Sequence, residues 1–91
     1  MATTAARTVV KSTRMDAVMT QAACDTAQAA ILECETEKDI AAYIKAAFEE
    51  QYGNTWHCFV GANFGAFVTH EEGRAIYFYI GQCGFFLFMT R

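Results

Sequence analysis

The stretch Arg74-Ala75-Ile76-Tyr77-Phe78-Tyr79-Ile80-Gly81-Gln82-Cys83-Gly84-Phe85-Phe86-Leu87-Phe88-Met89-Thr90 decides the fold. Aromatic and β-branched residues crowd both sides of Gly81-Gln82, which has the composition of a tight turn. The segment therefore predicts two antiparallel strands, Arg74 to Ile80 and Cys83 to Met89. Successive side chains on a strand point to opposite faces. Tyr77 and Tyr79 thus oppose Ile76, Phe78 and Ile80, and Cys83, Phe85 and Leu87 oppose Phe86 and Phe88. An antiparallel sheet with one wet face would alternate apolar with polar residues, and neither face here is polar. Such a sheet needs cover on both sides.

Working upstream, strands are predicted at Trp56 to Val60 and Phe64 to His70, with turns at Gly61-Ala62-Asn63 and Glu72-Gly73. Thr8 to Lys11 reads as an edge strand, and no proline interrupts any of these segments. Between them lies helical periodicity. Thr13, with Asp16 three residues later, resembles a capping box, so a helix is expected from about Met15, burying Met19, Ala23, Ala27, Ala30, Ile31 and Cys34. A second helix starts after an N-cap at Thr36, with Glu37 and Asp39 at its positive end. Its inner face is Ile40, Ile44, Ala47 and Phe48, Lys45 and Glu49 form a solvent-side pair, and Gly53 stops it near Tyr52. The fold class is α+β, two N-terminal helices flanking an antiparallel sheet. Two helices cover only one face of that sheet, so the other is expected to meet a second copy of the chain or a ligand. Residues 1–6 read as a flexible tail and 7–91 as one domain without repeats or linkers.

Composition agrees with that need for cover. A chain of 91 residues leaves about two fifths of its unfolded surface exposed after folding. Yet 54% of its residues are hydrophobic and 14% aromatic, a heavy apolar load for so small a body. With a net charge of −3 and a pI near 5.2, it lacks the basic footprint of a nucleic-acid binder. Apolar runs such as Cys83 to Met89 fall well short of the roughly 20 residues that span a bilayer. Arg7, Lys11 and Arg14 without an acid give the first residues a weak transit-peptide composition, against which Thr8-Val9-Val10 reads as a strand. In the absence of a signal-peptide core, Cys24, Cys34, Cys58 and Cys83 read as reduced, buried, small apolar residues.

Chemistry-bearing constellations are weak. His57 beside Cys58 suggests a thiolate pair, but neighbours on a strand point apart, and the structural reading prevails. No C-x-x-C or H-x-x-x-H spacing unites the four cysteines with His57 and His70, so no metal and no cofactor are expected. Gly61 to Gly65 lacks the lysine and following helix of a phosphate loop, and His70-Glu71-Glu72 reads as a strand end entering a charged turn. No catalytic residue is assigned. Gly65 and Ala66 thin the strand Phe64 to His70 enough for a peptide backbone to approach and add as a strand. Its side chains would enter pockets lined by Phe64, Phe67, Tyr77 and Tyr79. From pattern alone, the plainer reading of these aromatics as core is favoured.

The runs Glu37-Lys38-Asp39-Ile40-Ala41-Ala42-Tyr43-Ile44-Lys45 and Thr55-Trp56-His57-Cys58 are followed in register by Val60-Gly61, Asn63-Phe64-Gly65, Val68-Thr69-His70-Glu71, Ile76-Tyr77-Phe78-Tyr79 and Gly81-Gln82. Together they resemble the eight-kilodalton dynein light chain family, over Arg7 to Arg91 and most closely from Glu37 onward. The resemblance implies a non-enzymatic, strand-exchanged two-fold dimer, in which the strand Phe64 to His70 pairs with the partner's Trp56 strand. It implies two grooves that take extended peptides, at Glu37, Lys38, Asn63, Phe64, Gly65, Ala66, Phe67, Val68, Thr69, His70, Tyr77 and Tyr79. A ligand glutamine would sit at the start of the second helix. The dimer interface would use Trp56, His57, Phe59, Phe64 and Phe67.

Partners implied by the resemblance are segments associated with dynein intermediate or heavy chains, and a second identical or related light chain; nucleic acid and membrane are not among them. The implied setting is the cytoplasm and cytoskeleton, or a ciliary or flagellar axoneme. Where relatives carry arginine, a small hydroxyl, tyrosine and phenylalanine, this chain has Ala62, Ala66, Phe67 and Ala75, which strips hydroxyls and bulk from the groove region. That divergence gives a second expectation, a dedicated structural subunit of an axonemal complex.

Overall fold

The computed structural model describes residues 7–62 and 74–90. The elements run β1 (Thr8–Thr13), α1 (Ala17–Glu33), α2 (Glu37–Tyr52), β2 (Thr55–Ala62), β3 (Ala75–Ile80) and β4 (Cys83–Thr90). The strands form one antiparallel sheet in the order β1-β3-β4-β2, and both helices pack on one of its faces. The expected strand Phe64 to His70, the turn at Glu72-Gly73 and the tail 1–6 lie outside the described residues.

The core lies between the helices and that face. Ala23, Ala27 and Ala30 are fully buried on α1, where their small side chains allow close approach, and Ile40, Ile44 and Phe48 supply the bulk from α2. Opposite them the sheet presents Trp56, Ile76, Phe78, Ile80, Phe85, Leu87 and Met89. Phe78 and Phe85 stack with centroids 4.9 Å apart, and Trp56 meets Phe48 edge-on at 4.9 Å. The alternation read from the sequence thus places Ile76, Phe78 and Ile80 under the helices and Tyr77 and Tyr79 on the other side.

Local details both match and correct the sequence reading. Thr36 caps α2 by accepting from the Asp39 amide at 3.1 Å, and Gly53 ends it at φ 72°, a conformation that suits glycine. Lys45 and Glu49 do pair on α2. At α1 the expected capping residue is displaced: Asp16, not Thr13, is the N-cap, its Oδ1 accepting from the Met19 amide at 2.8 Å. Thr13 is claimed by β1, where it pairs with Ile76, and its hydroxyl accepts from the Met15 amide at 3.0 Å. A long-range strand pairing therefore overrides the local cap signal.

The turn expected at Gly61-Ala62-Asn63 does not begin at Gly61. β2 runs on through Gly61 and Ala62, which pair with Gly84 and Cys83. The β3–β4 turn is at Gly81-Gln82 as expected, with Gly81 at φ 62° and its amide donating to the Arg7 carbonyl at 3.0 Å.

Candidate functional site: the open sheet face and its edges

The face away from the helices is apolar and only partly covered. By register it carries Val9, Lys11 and Ser12 on β1, Ala75, Tyr77 and Tyr79 on β3, Gly84, Phe86, Phe88 and Thr90 on β4, and Thr55, His57, Phe59 and Gly61 on β2. Its rings form a continuous layer. His57 stacks on Phe88 at 5.0 Å, Phe86 meets Phe88 at 4.9 Å, and Tyr77 reaches Phe86 at 6.4 Å. Phe59, 57% exposed, tops the layer beside Phe86 and Phe88. His57 is further fixed by a 3.0 Å hydrogen bond between its Nε2 and Thr90 Oγ1.

The two edges of this sheet differ. β1 carries a bulge, because the register shifts between Val10 and Ser12 and leaves Lys11 as the extra residue. A bulge and a lysine are two devices that discourage further strands from pairing. β2, by contrast, pairs with β4 in unbroken register over its whole length. Among the described residues it has no neighbour on its outer side and carries no lysine or bulge there. It is an edge able to accept a strand.

Of the residues expected to form the site, Asn63 to His70 lie outside the described residues. The others fall into two groups around Gly81. Glu37, exposed in the first turn of α2, lines a cavity of about 430 Å³ with Ile31, Cys34, Ile40, Ala62, Gly81 and Cys83; Lys38, beside it, is also exposed. Tyr77 and Tyr79 line a hollow of about 410 Å³ on the open face, with Val9, Lys11 and Gly81. Their phenol oxygens lie 3.2 Å apart. The hydrogen bond with Tyr77, with burial adding to it, holds the Tyr79 phenol above its ordinary range.

Of the expected interface residues, His57 and Phe59 lie on the open face, whereas the Trp56 indole is fully buried on the helix side. There it donates to the Gly53 carbonyl at 2.8 Å. The sequence reading passed over Val9 and Lys11 as site residues. A lone lysine in a short edge strand carries no signal of its own; only the bulge turns it toward the tyrosines.

The thiols are held in their protonated form. Burial pushes Cys58 up to about 12, with the neighbouring Cys83 adding to the shift, and Cys83 is itself raised by burial and by the charge of Glu37. Cys58 belongs to the helix side while His57 faces the open side, so the adjacent pair is split between faces as strand geometry requires. Among the described residues no cluster of His, Cys, Asp and Glu could hold a metal ion, and no helix is long and apolar enough to cross a membrane.

Comparisons with known proteins agree on one family. The family model described as Dynein light chain type 1 matches residues 7–90. A curated relative, "Dynein light chain, cytoplasmic" of Emericella nidulans, is 50% identical over 82 residues, covering 90% of this chain and 87% of that protein. Among solved structures, the dynein light chain-like domain of the Fasciola hepatica calcium binding protein FhCaBP2 superposes with a TM-score of 0.84. It is 19% identical, and the match covers 97% of this chain and 95% of that one. The DLC-like domain of CsTAL3 gives 0.77 at 13% identity, over 91% and 92% of the two chains.

Proposed function

We propose, on the premise that this chain belongs to the dynein light chain family, that it is a non-enzymatic dimeric clamp that holds extended peptide segments of dynein subunits and other partners. The observation that carries the reading is the coincidence of an unguarded β2 edge with an open aromatic face on the same side chains' sheet. A second protomer's strand laid along β2 would satisfy its outer amides and carbonyls and would cover Phe59 and Phe88. A peptide added to that exchanged strand would gain main-chain hydrogen bonds and place alternate side chains in the hollows on either side of Gly81. Two such grooves per dimer hold paired chains with the added strength of bivalency. The relative named as cytoplasmic supports a setting in the cytoplasm, on the cytoskeleton.

Sedimentation together with hydrogen exchange tests this. The expected result is a dimer whose Asn63 to His70 amides become protected when a glutamine-containing peptide is added. A monomer, or a dimer without new protection, overturns the reading.

A second reading is favoured by two small residues. Ala62 borders the cavity at Glu37, and Ala75 is buried on the open face beside the tyrosine row. On this reading they would adapt the groove to one fixed chain, as in a dedicated, heterodimeric subunit of an axonemal complex. Titration against unrelated peptides separates the two, because a hub binds several and a dedicated subunit binds one.

A further inference from the structure

The cavity of about 430 Å³ lies where α1 ends, α2 begins and β3 turns into β4. Two of the side chains that line it are free thiols: Cys34, the residue that closes α1, and Cys83, the first residue of β4. The other cysteines are placed out of reach of these two. Cys58 stands opposite Leu87, four residues along β4 from Cys83, which is about 13 Å at the rise of a strand. Cys24 lies ten residues before Cys34 along the helical chain, about 15 Å at the helical rise. A disulfide needs Cα atoms about 4.4–6.8 Å apart, and a regular strand or helix cannot shorten such spans. Between Cys34 and Cys83 lies only the void that both line. Each also sits at the end of an element, beside the short connector Glu35-Thr36 or the turn Gly81-Gln82, where the backbone yields most readily.

We infer that Cys34 and Cys83 are a redox pair, which peroxide joins in a disulfide that bridges the cavity and ties the α1–α2 corner to the β3–β4 turn. Cys34 is the shallower of the two. Its thiolate attacks one peroxide oxygen and becomes a sulfenic acid, and the hydroxide released takes up the proton that the thiol has shed. The Cys83 thiol then attacks the Cys34 sulfur; the S–S bond forms, and the hydroxyl leaves as water with the Cys83 proton. Two thiols are oxidised and one peroxide is reduced to two waters. Burial, and then negative charge, keep both thiols protonated, Glu37 acting on Cys83, and Asp39 and Glu33 on Cys34. The pair is therefore slow to react, and the bridge forms under sustained peroxide. It also reaches α2. Thr36, two residues past Cys34, accepts from the Asp39 amide through its hydroxyl and from the Ile40 amide through its carbonyl at 3.0 Å. A bridge at Cys34 steadies this cap, so these amides open less often.

The experiment treats the dilute full chain with hydrogen peroxide, blocks the remaining thiols and maps tryptic peptides by mass spectrometry without reduction. Trypsin leaves Cys24 and Cys34 on peptide 15–38, Cys58 on 46–74 and Cys83 on 75–91. The expected product is 15–38 joined to 75–91, within a single chain on a non-reducing gel and opened again by dithiothreitol. It forms in Cys24→Ser and is lost in Cys34→Ser and in Cys83→Ser. Hydrogen exchange of the Asp39 and Ile40 amides slows at least about threefold on oxidation, and peroxide leaves it unchanged in Cys34→Ser, whose methionines oxidise alike. If the two thiols survive, pass to sulfinic acid without joining, or link only between chains, the inference falls. A bridged chain with unslowed exchange overturns the steadying of the cap.

Discussion

Glu49 holds its proton more weakly than a free carboxylate, because its oxygen accepts from Lys45 and from the Trp56 amide at 3.1 Å. Its folded-state pKa is thus below the ordinary 4.5. The unfolded chain then binds more protons just below pH 4.5, and stability rises with pH through that window. The contribution is fully present above it and is lost as pH falls through the folded value. Urea denaturation of Glu49→Gln at fixed protomer concentration is expected to show a deficit at neutral pH that closes in acid. Trp56 is fully buried between Phe48, Tyr52 and the sheet. Trp56→Ala should cost about 3–5 kcal/mol of unfolding free energy by the same method. Cys58, pushed up to about 12, should escape alkylation in the native protein at neutral pH and react only after denaturation, as mass spectrometry of the labelled peptides will register.

Among the elements, β2 would carry the proposed pairing of protomers. Its exposed Phe59 lies in the middle of the open edge strand. Phe59→Lys would set an ammonium into the expected contact and should weaken self-association at least about tenfold, read by sedimentation equilibrium. This level was also the most legible in the sequence. The aromatic alternation in Ile76 to Ile80 and the spacing of Ile40, Ile44 and Phe48 report burial through the local period of the chain, so faces and element order follow directly. What the sequence hid were features decided by pairing across long separations. The cap passed from Thr13 to Asp16 because Thr13 pairs with Ile76, and β2 continued through Gly61 because Gly84 lies opposite. The Lys11 bulge exists only relative to β3. Of the candidate site, the tyrosine row and Glu37 were readable from pattern and resemblance, but their meeting around Gly81 was not.

For the whole molecule, covering the apolar open face in the proposed dimer would tie stability to association, so the melting temperature should rise with protomer concentration, as differential scanning calorimetry over a dilution series will measure. The unequal margins of the sheet have a further effect on what the protein can build. A ribbon with two receptive sides would grow by adding copy after copy into a fibre. With one side stoppered by a kinked strand and a positive charge, each molecule would have a single hand to offer, and in the proposed pair growth would end once two had clasped.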